Sequence, residues 1–177
     1  MIVCLVCNAV FVIGKFAFVQ LRREYIEDLV RAGRDGAPFL LRLYDRPTVF
    51  LGMAQLGMAI SSISAGALVA VILFQLYPVL HTYILSDGVL AVVMVVLFLF
   101  SCVVLQWVLC ELVPKSIGLQ RAESSLIHVS RFIDGLSKLF YPCIAFGNWL
   151  GRLILKTGGL TVTNEVDMAH SEDEIRM

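Results

Sequence analysis

From Arg46 to Glu111 a single formal charge, Asp87, interrupts the chain. Each uncharged run on either side of it exceeds the roughly 20 apolar residues that cross a bilayer core of about 30 Å. A chain with such runs is an integral membrane protein. Composition agrees, with 59% hydrophobic and 16% charged residues, where a soluble domain carries about 45–50% and 25%. An ordinary soluble enzyme is thereby excluded. The 14 Lys+Arg balance the 14 Asp+Glu, so no net field points to nucleic acid.

Three spans follow. Ile2 to Val19 is apolar except for Asn8, Gly14 and Lys15. Val49 to Leu76 carries no charge, and Val89 to Leu109 has only Ser101 and Gln106 as clearly polar side chains. No basic region precedes the first run, which therefore reads as an uncleaved helix rather than a signal peptide. Arg22, Arg23, Arg31, Arg34, Arg42 and Arg46 lie between the first and second spans, while Tyr77 to Gly88 holds no Lys or Arg. By the positive-inside rule the first loop is cytoplasmic and the second outside. Lys115, Arg121, Arg131, Lys138, Arg152 and Lys156 put the region after the third span back on the cytoplasmic side, with the N-terminus outside. The expected place is the cell membrane, multi-pass.

Leu139 to Leu155 is apolar but holds Pro142, Asn148 and Arg152. In Ala122 to Phe140, Ser124, His128, Arg131, Gly135 and Lys138 lie opposite Leu126, Ile127, Val129, Phe132, Ile133, Leu136 and Phe140, the pattern of an interfacial helix. Two amphipathic segments broken near Pro142 are expected along the inner membrane face, the alternative being a fourth span. The fold class is thus an all-α integral membrane protein with three transmembrane helices and cytoplasmic juxtamembrane belt helices. Residues 1–160 form the membrane domain. Residues 161–177, with Glu165, Asp167, Glu172, Asp173 and Glu174 against Arg176, read as an acidic linker toward something longer.

Cys4, Cys7, Cys102, Cys110 and Cys143 lack zinc-ligand spacing and read as packing residues. No catalytic triad or phosphate loop is visible, so no enzyme is expected. Chemistry centres on the end of the third span. Pro114 has no N–H, so the Cys110 carbonyl, four residues earlier, loses its helical partner beside the Glu111 carboxylate. Carboxylate and carbonyl oxygens suit a hard cation such as Mg²⁺; the other reading of Glu111 is a helix-end pair with Lys115. In the second span Gly57, Ser61 and Ala65 form one small-residue stripe and Ser62, Gly66 and Ala70 the next, a pattern of close helix packing whose hydroxyls could also serve an ion. Gln55 lies at a depth comparable with Lys15 and Glu111. Asn8 either supplies an oxygen or bridges to another helix.

These residues resemble the transmembrane domain of the CNNM/CorC family, the magnesium-efflux and haemolysin-C-like group. The resemblance runs through Lys15-Phe16-Ala17-Phe18-Val19 with Arg22-Arg23, Gln55-Leu56-Gly57, Glu111-Leu112-Val113-Pro114-Lys115-Ser116, Leu119-Gln120-Arg121-Ala122-Glu123, Leu139-Phe140-Tyr141-Pro142 and His170-Ser171-Glu172-Asp173-Glu174-Ile175-Arg176. It implies a homodimer in the bilayer, a cation site near the Glu-x-x-Pro-Lys break, and a cytoplasmic CBS-pair region beyond this chain. Mg²⁺ is the implied cargo and Na⁺ the implied coupling ion. The implied site takes in Glu111, the Cys110 carbonyl, Ser62, Gln55 and Gly14, with Lys15, Pro114 and Lys115 beside it. The sequence departs from the family at Gly14-Lys15, where a Ser followed by a Glu is usual, at Cys110 in place of Gly, and at Ala59 in place of a polar residue. The leading expectation is a Mg²⁺ transporter. The competing one is a non-transporting membrane anchor or sensor whose Lys15 ammonium occupies the cation's place.

Overall fold

The computed structural model describes residues 1–83 and 88–158. Asp87, His170 and the acidic segment 161–177 lie outside the described residues. The described chain is helical: α1 (Ile2–Gln20), α2 (Arg23–Arg31), α3 (Ala37–Tyr44), α4 (Pro47–Tyr83), α5 (Gly88–Trp107), a π turn (Val108–Leu112), α6 (Val113–Gln120), α7 (Ala122–Leu139) and α8 (Tyr141–Thr157). Three stretches are long and apolar enough to cross a membrane: Ile2–Gln20, Pro47–Pro78 and Val92–Gln120. At 1.5 Å per residue the second measures roughly 48 Å, so it tilts or protrudes from a core of about 30 Å.

Local sequence explains where the elements start and stop. α2 ends in a Schellman closure, with the Arg34 N–H on the Leu29 carbonyl at 3.0 Å and the Gly33 N–H on Val30 at 3.1 Å. Gly33 takes the left-handed φ of 69° that this closure requires. Pro47 opens α4 at its first position, where a missing N–H costs nothing. α7 and α8 meet at Phe140, with Pro142 in the first turn of α8. The expected break near Pro142 is therefore present, and α8 is not among the candidate spans.

α1 is the hub, with α4, α6 and α7 all packed against it. Three of the contacts need a missing side chain. A Cβ on Gly57 would meet the Phe11 ring at 2.4 Å, one on Gly14 would meet Ile133 of α7 at 2.5 Å, and one on Gly118 would meet the Ile13 carbonyl oxygen at 2.9 Å. At the belt end Phe18 stacks on Tyr44 at 4.3 Å and meets Phe50 at 4.7 Å. The Tyr44 hydroxyl donates to the Phe18 and Leu21 carbonyl oxygens, tying α3 to the end of α1. The opposite end is bare: Phe74 is 83% exposed and Val89 79%.

Two expectations change. α7 does not turn its whole apolar face to lipid, because Ala122, Leu126, Ser130, Ile133 and Ser137 form its buried stripe and Ile133 and Val129 close over Gly14 of α1. Nor does the third span break at Pro114. The Val113 N–H reaches five residues back to the Val108 carbonyl, a wider turn that relieves the proline ring's clash with the carbonyl four residues before it. The helix then runs on to Gln120.

Candidate functional site

Helical periodicity places polar groups from three helices around one space. On α1, Asn8, Val12 and Lys15 stand one and two turns apart on one face. Met58 and Ser62 do the same on α4, as do Val103, Gln106, Cys110 and Glu111 on α5 and the π turn. Together with Phe16 and Trp107 they line a cavity of about 600 Å³.

Asn8 is its most constrained polar group, 6% exposed in the middle of α1. Its Nδ2 donates to the Ser62 Oγ at 2.6 Å and to the Met58 carbonyl at 3.4 Å. A carbonyl oxygen can only accept, which identifies the end facing Met58 as the NH₂ and turns Oδ1 the other way. Ser62 Oγ, Asn8 Oδ1, the Gln106 amide and the Glu111 carboxylate are all oxygen donors. The π turn adds backbone oxygens. Counting back four or five residues from Pro114 reaches Cys110 or Leu109, and in either register Pro114 brings no N–H to that carbonyl. The buried Cys110 thiol points to the Leu5 carbonyl at 3.7 Å, which fastens the π turn to α1.

Oxygen donors of this kind suit hard cations. Among the described residues no three His, Cys, Asp or Glu side chains gather, and Glu111 is the one carboxylate among the residues that line this cavity. Mg²⁺ is often held by one or two carboxylates while keeping several waters. The donor set fits a hydrated ion better than a stripped one.

The residues named from sequence divide into two groups. Glu111, Cys110, Ser62 and Lys15 line this cavity. Gly14, Gln55, Pro114 and Lys115 do not. Gly14 is buried under Ile133 and Val129 on the α7 side of α1, Gln55 is exposed, and Pro114 is buried just beyond the π turn. Lys115 lays its ammonium over the Phe16 ring, 4.9 Å from the centroid. Of the small-residue stripes, Gly57, Ser61 and Ala65 are buried, while Gly66 faces open space, as do Gly147 and Gly151 on α8. Asn8 and Gln106 carry more of the site than the sequence reading gave them. The available signal was spacing, with Asn8 seven residues before Lys15 and Gln106 four before Cys110.

A family model described as the cyclin M transmembrane N-terminal domain matches residues 1–177. Among curated relatives, the Bacillus subtilis UPF0053 protein YrkA is 29% identical over 177 residues, covering 98% of this chain and 40% of YrkA. The UPF0053 protein YhdT of the same organism is 30% identical over 176 residues, covering 99% of this chain and 38% of YhdT. The Mycobacterium tuberculosis uncharacterized protein Rv1841c is 32% identical over 169 residues, covering 95% and 48%. The chain spans less than half the length of each of these relatives.

Proposed function

This chain belongs to the cyclin M transmembrane N-terminal domain family, and from that premise we propose that it is the membrane domain of a transporter that moves Mg²⁺, outward in exchange for Na⁺. The observation that carries the proposal is the cavity between α1, α4 and the π turn, where buried Asn8, Ser62, Gln106 and a single carboxylate, Glu111, stand among apolar residues and Lys15. Alternate exposure of this cavity to the two sides would move the ion, with irregular backbone tolerated at membrane depth because it lines a polar space. Arginine placement supports a cytoplasmic belt and an outside N-terminus in the cell membrane. The small residue Gly66, open on α4, supports close packing of a second copy in the bilayer, a homodimer. A CBS-pair region following this chain would complete the protein.

Lys15 motivates the competing reading, a non-transporting anchor or sensor, because its side chain lines the same cavity as Glu111. Titrating Mg²⁺ against thermal unfolding of the chain in detergent separates the two. A bound ion at a hundred times its Kd stabilises by about 2.7 kcal/mol. The transporter reading expects such stabilisation in the parent and its loss in Glu111→Gln and Asn8→Leu. Stabilisation that appears only in Lys15→Ser would establish the anchor reading instead.

A further inference from the structure

A second cavity, of about 960 Å³, lies at the belt end between the α3–α4 and α7–α8 junctions. Its floor is apolar and close-packed, with Leu43 and Phe50 buried and Ser137 beside them. Its rim carries Arg42, Arg46 and Lys138 with Asp45 and Asp134. Both carboxylates already have cations: Asp45 meets Arg23 at 3.4 Å and Asp134 meets Lys138 at 3.0 Å. Arg42 and Arg46 thus give the rim an excess of positive charge, and Arg42 sits 6.0 Å from the Phe39 ring centroid. The Asn8–Glu111 cavity, with one ammonium and one carboxylate, has no such excess.

The surroundings indicate what kind of anion fits. Arg46 immediately precedes Pro47, where the charge-free α4 begins, so the guanidinium groups stand at the boundary of the apolar span. Phe39 and Val49 line the groove beside the buried Leu43 and Phe50, and Tyr141 closes the other wall. A soluble anion has no use for that apolar lining, whereas an amphiphile has a phosphate for the arginines and acyl chains for the span that starts beside them. Basic pockets beside membrane helices bind such head groups. We infer that this groove is a binding site for the phosphate head group of an anionic glycerophospholipid, held by Arg42 and Arg46 with its chains along the start of α4.

The inference is independent of what the Asn8–Glu111 cavity carries. The test uses the whole chain in a neutral detergent, titrated with phosphatidylglycerol, phosphatidylcholine or inorganic phosphate, reading the unfolding temperature and, by native mass spectrometry, the number of retained lipids. Phosphatidylglycerol should raise the unfolding temperature and stay bound as a discrete adduct while phosphatidylcholine does neither. The Arg42→Gln/Arg46→Gln double variant should bind it about thirtyfold more weakly. Its unfolding temperature in phosphatidylcholine reports whether it remains folded. Equal weakening in Arg131→Gln/Arg152→Gln would assign the effect to general basic charge and overturn the site. Equal stabilisation by inorganic phosphate would overturn the lipid as its source, and absence of an adduct on the parent would overturn the inference without any variant.

Discussion

Gly118 holds α6 against α1, and replacing it should loosen the wall of the ion cavity without replacing a residue that lines it. A Cβ there would lie 2.9 Å from the Ile13 carbonyl oxygen, 3.2 Å from the Phe16 Cβ and 3.3 Å from the Ala17 nitrogen. Two of these neighbours are backbone in the middle of α1 and cannot swing aside. Ordinary carbon–oxygen contact needs about 3.3–3.6 Å, so α6 must retreat by about 0.5 Å. Overpacking of this kind costs about 1–3 kcal/mol, against a gain of about 0.8–1 kcal/mol from replacing helical Gly by Ala. Gly135 on α7 supplies the control, since a Cβ there meets nothing within 4 Å. Gly135→Ala should stabilise by about 0.5–1 kcal/mol. The propensity gain cancels between the two, and Gly118→Ala should fall below Gly135→Ala by about 1–3 kcal/mol. Thermal unfolding followed by far-ultraviolet circular dichroism, in one detergent at one concentration, reads the difference. If Gly118→Ala gains as much stability as Gly135→Ala, the close packing of α6 on α1 is not what holds the π turn in place.

Burial holds the Tyr44 phenol above the ordinary tyrosine range. The folded state therefore keeps a proton that the unfolded chain loses above a pKa of about 10, and stability present below that pH should decline as pH rises past it. Tyr44→Phe should flatten the decline while costing about 1–2 kcal/mol at neutral pH through the lost donor to Phe18 and Leu21; parallel curves would refute this. Tyr25 donates to Glu123 at 2.9 Å, and that hydrogen bond, then the carboxylate's charge, raises its pKa. Glu123→Gln should lower the Tyr25 midpoint in phenolate absorbance, and an unmoved midpoint would dissolve the link between α2 and α7. Single cysteines placed at Arg121 and Lys156 in a cysteine-free background should label with an impermeant maleimide from the same side of a vesicle. Labelling from opposite sides would make α8 a fourth span.

The spans were legible because charge is so costly in hydrocarbon that a bare sequence marks their ends, and the α7–α8 break because Pro142 is favoured in a helix's first turn, where its missing N–H costs nothing. The π turn was not legible. Pro114 announces a lost hydrogen bond, but whether the helix breaks or widens depends on whether the next turns have something to pack on, here α1 against Gly118. Asn8 was ambiguous for the same reason, since one residue in an apolar helix gives no partner until Ser62 is seen across from it. Gly14 and Lys15, adjacent in sequence, diverge because a helix turns about 100° per residue: one lies under α7 and the other lines the cavity. Gln55 matched Glu111 in depth but not in direction around the bundle, and depth alone was what the sequence offered.

Mg²⁺ movement into proteoliposomes, read by a trapped Mg²⁺-sensitive dye, tests the transport reading most directly. Parent, Glu111→Gln and Lys15→Ser chains are compared with empty vesicles at matched protein density. The account expects flux above empty vesicles in the parent and its loss in Glu111→Gln. Flux in Glu111→Gln equal to the parent, or none in the parent whether or not Lys15→Ser shows it, would contradict it.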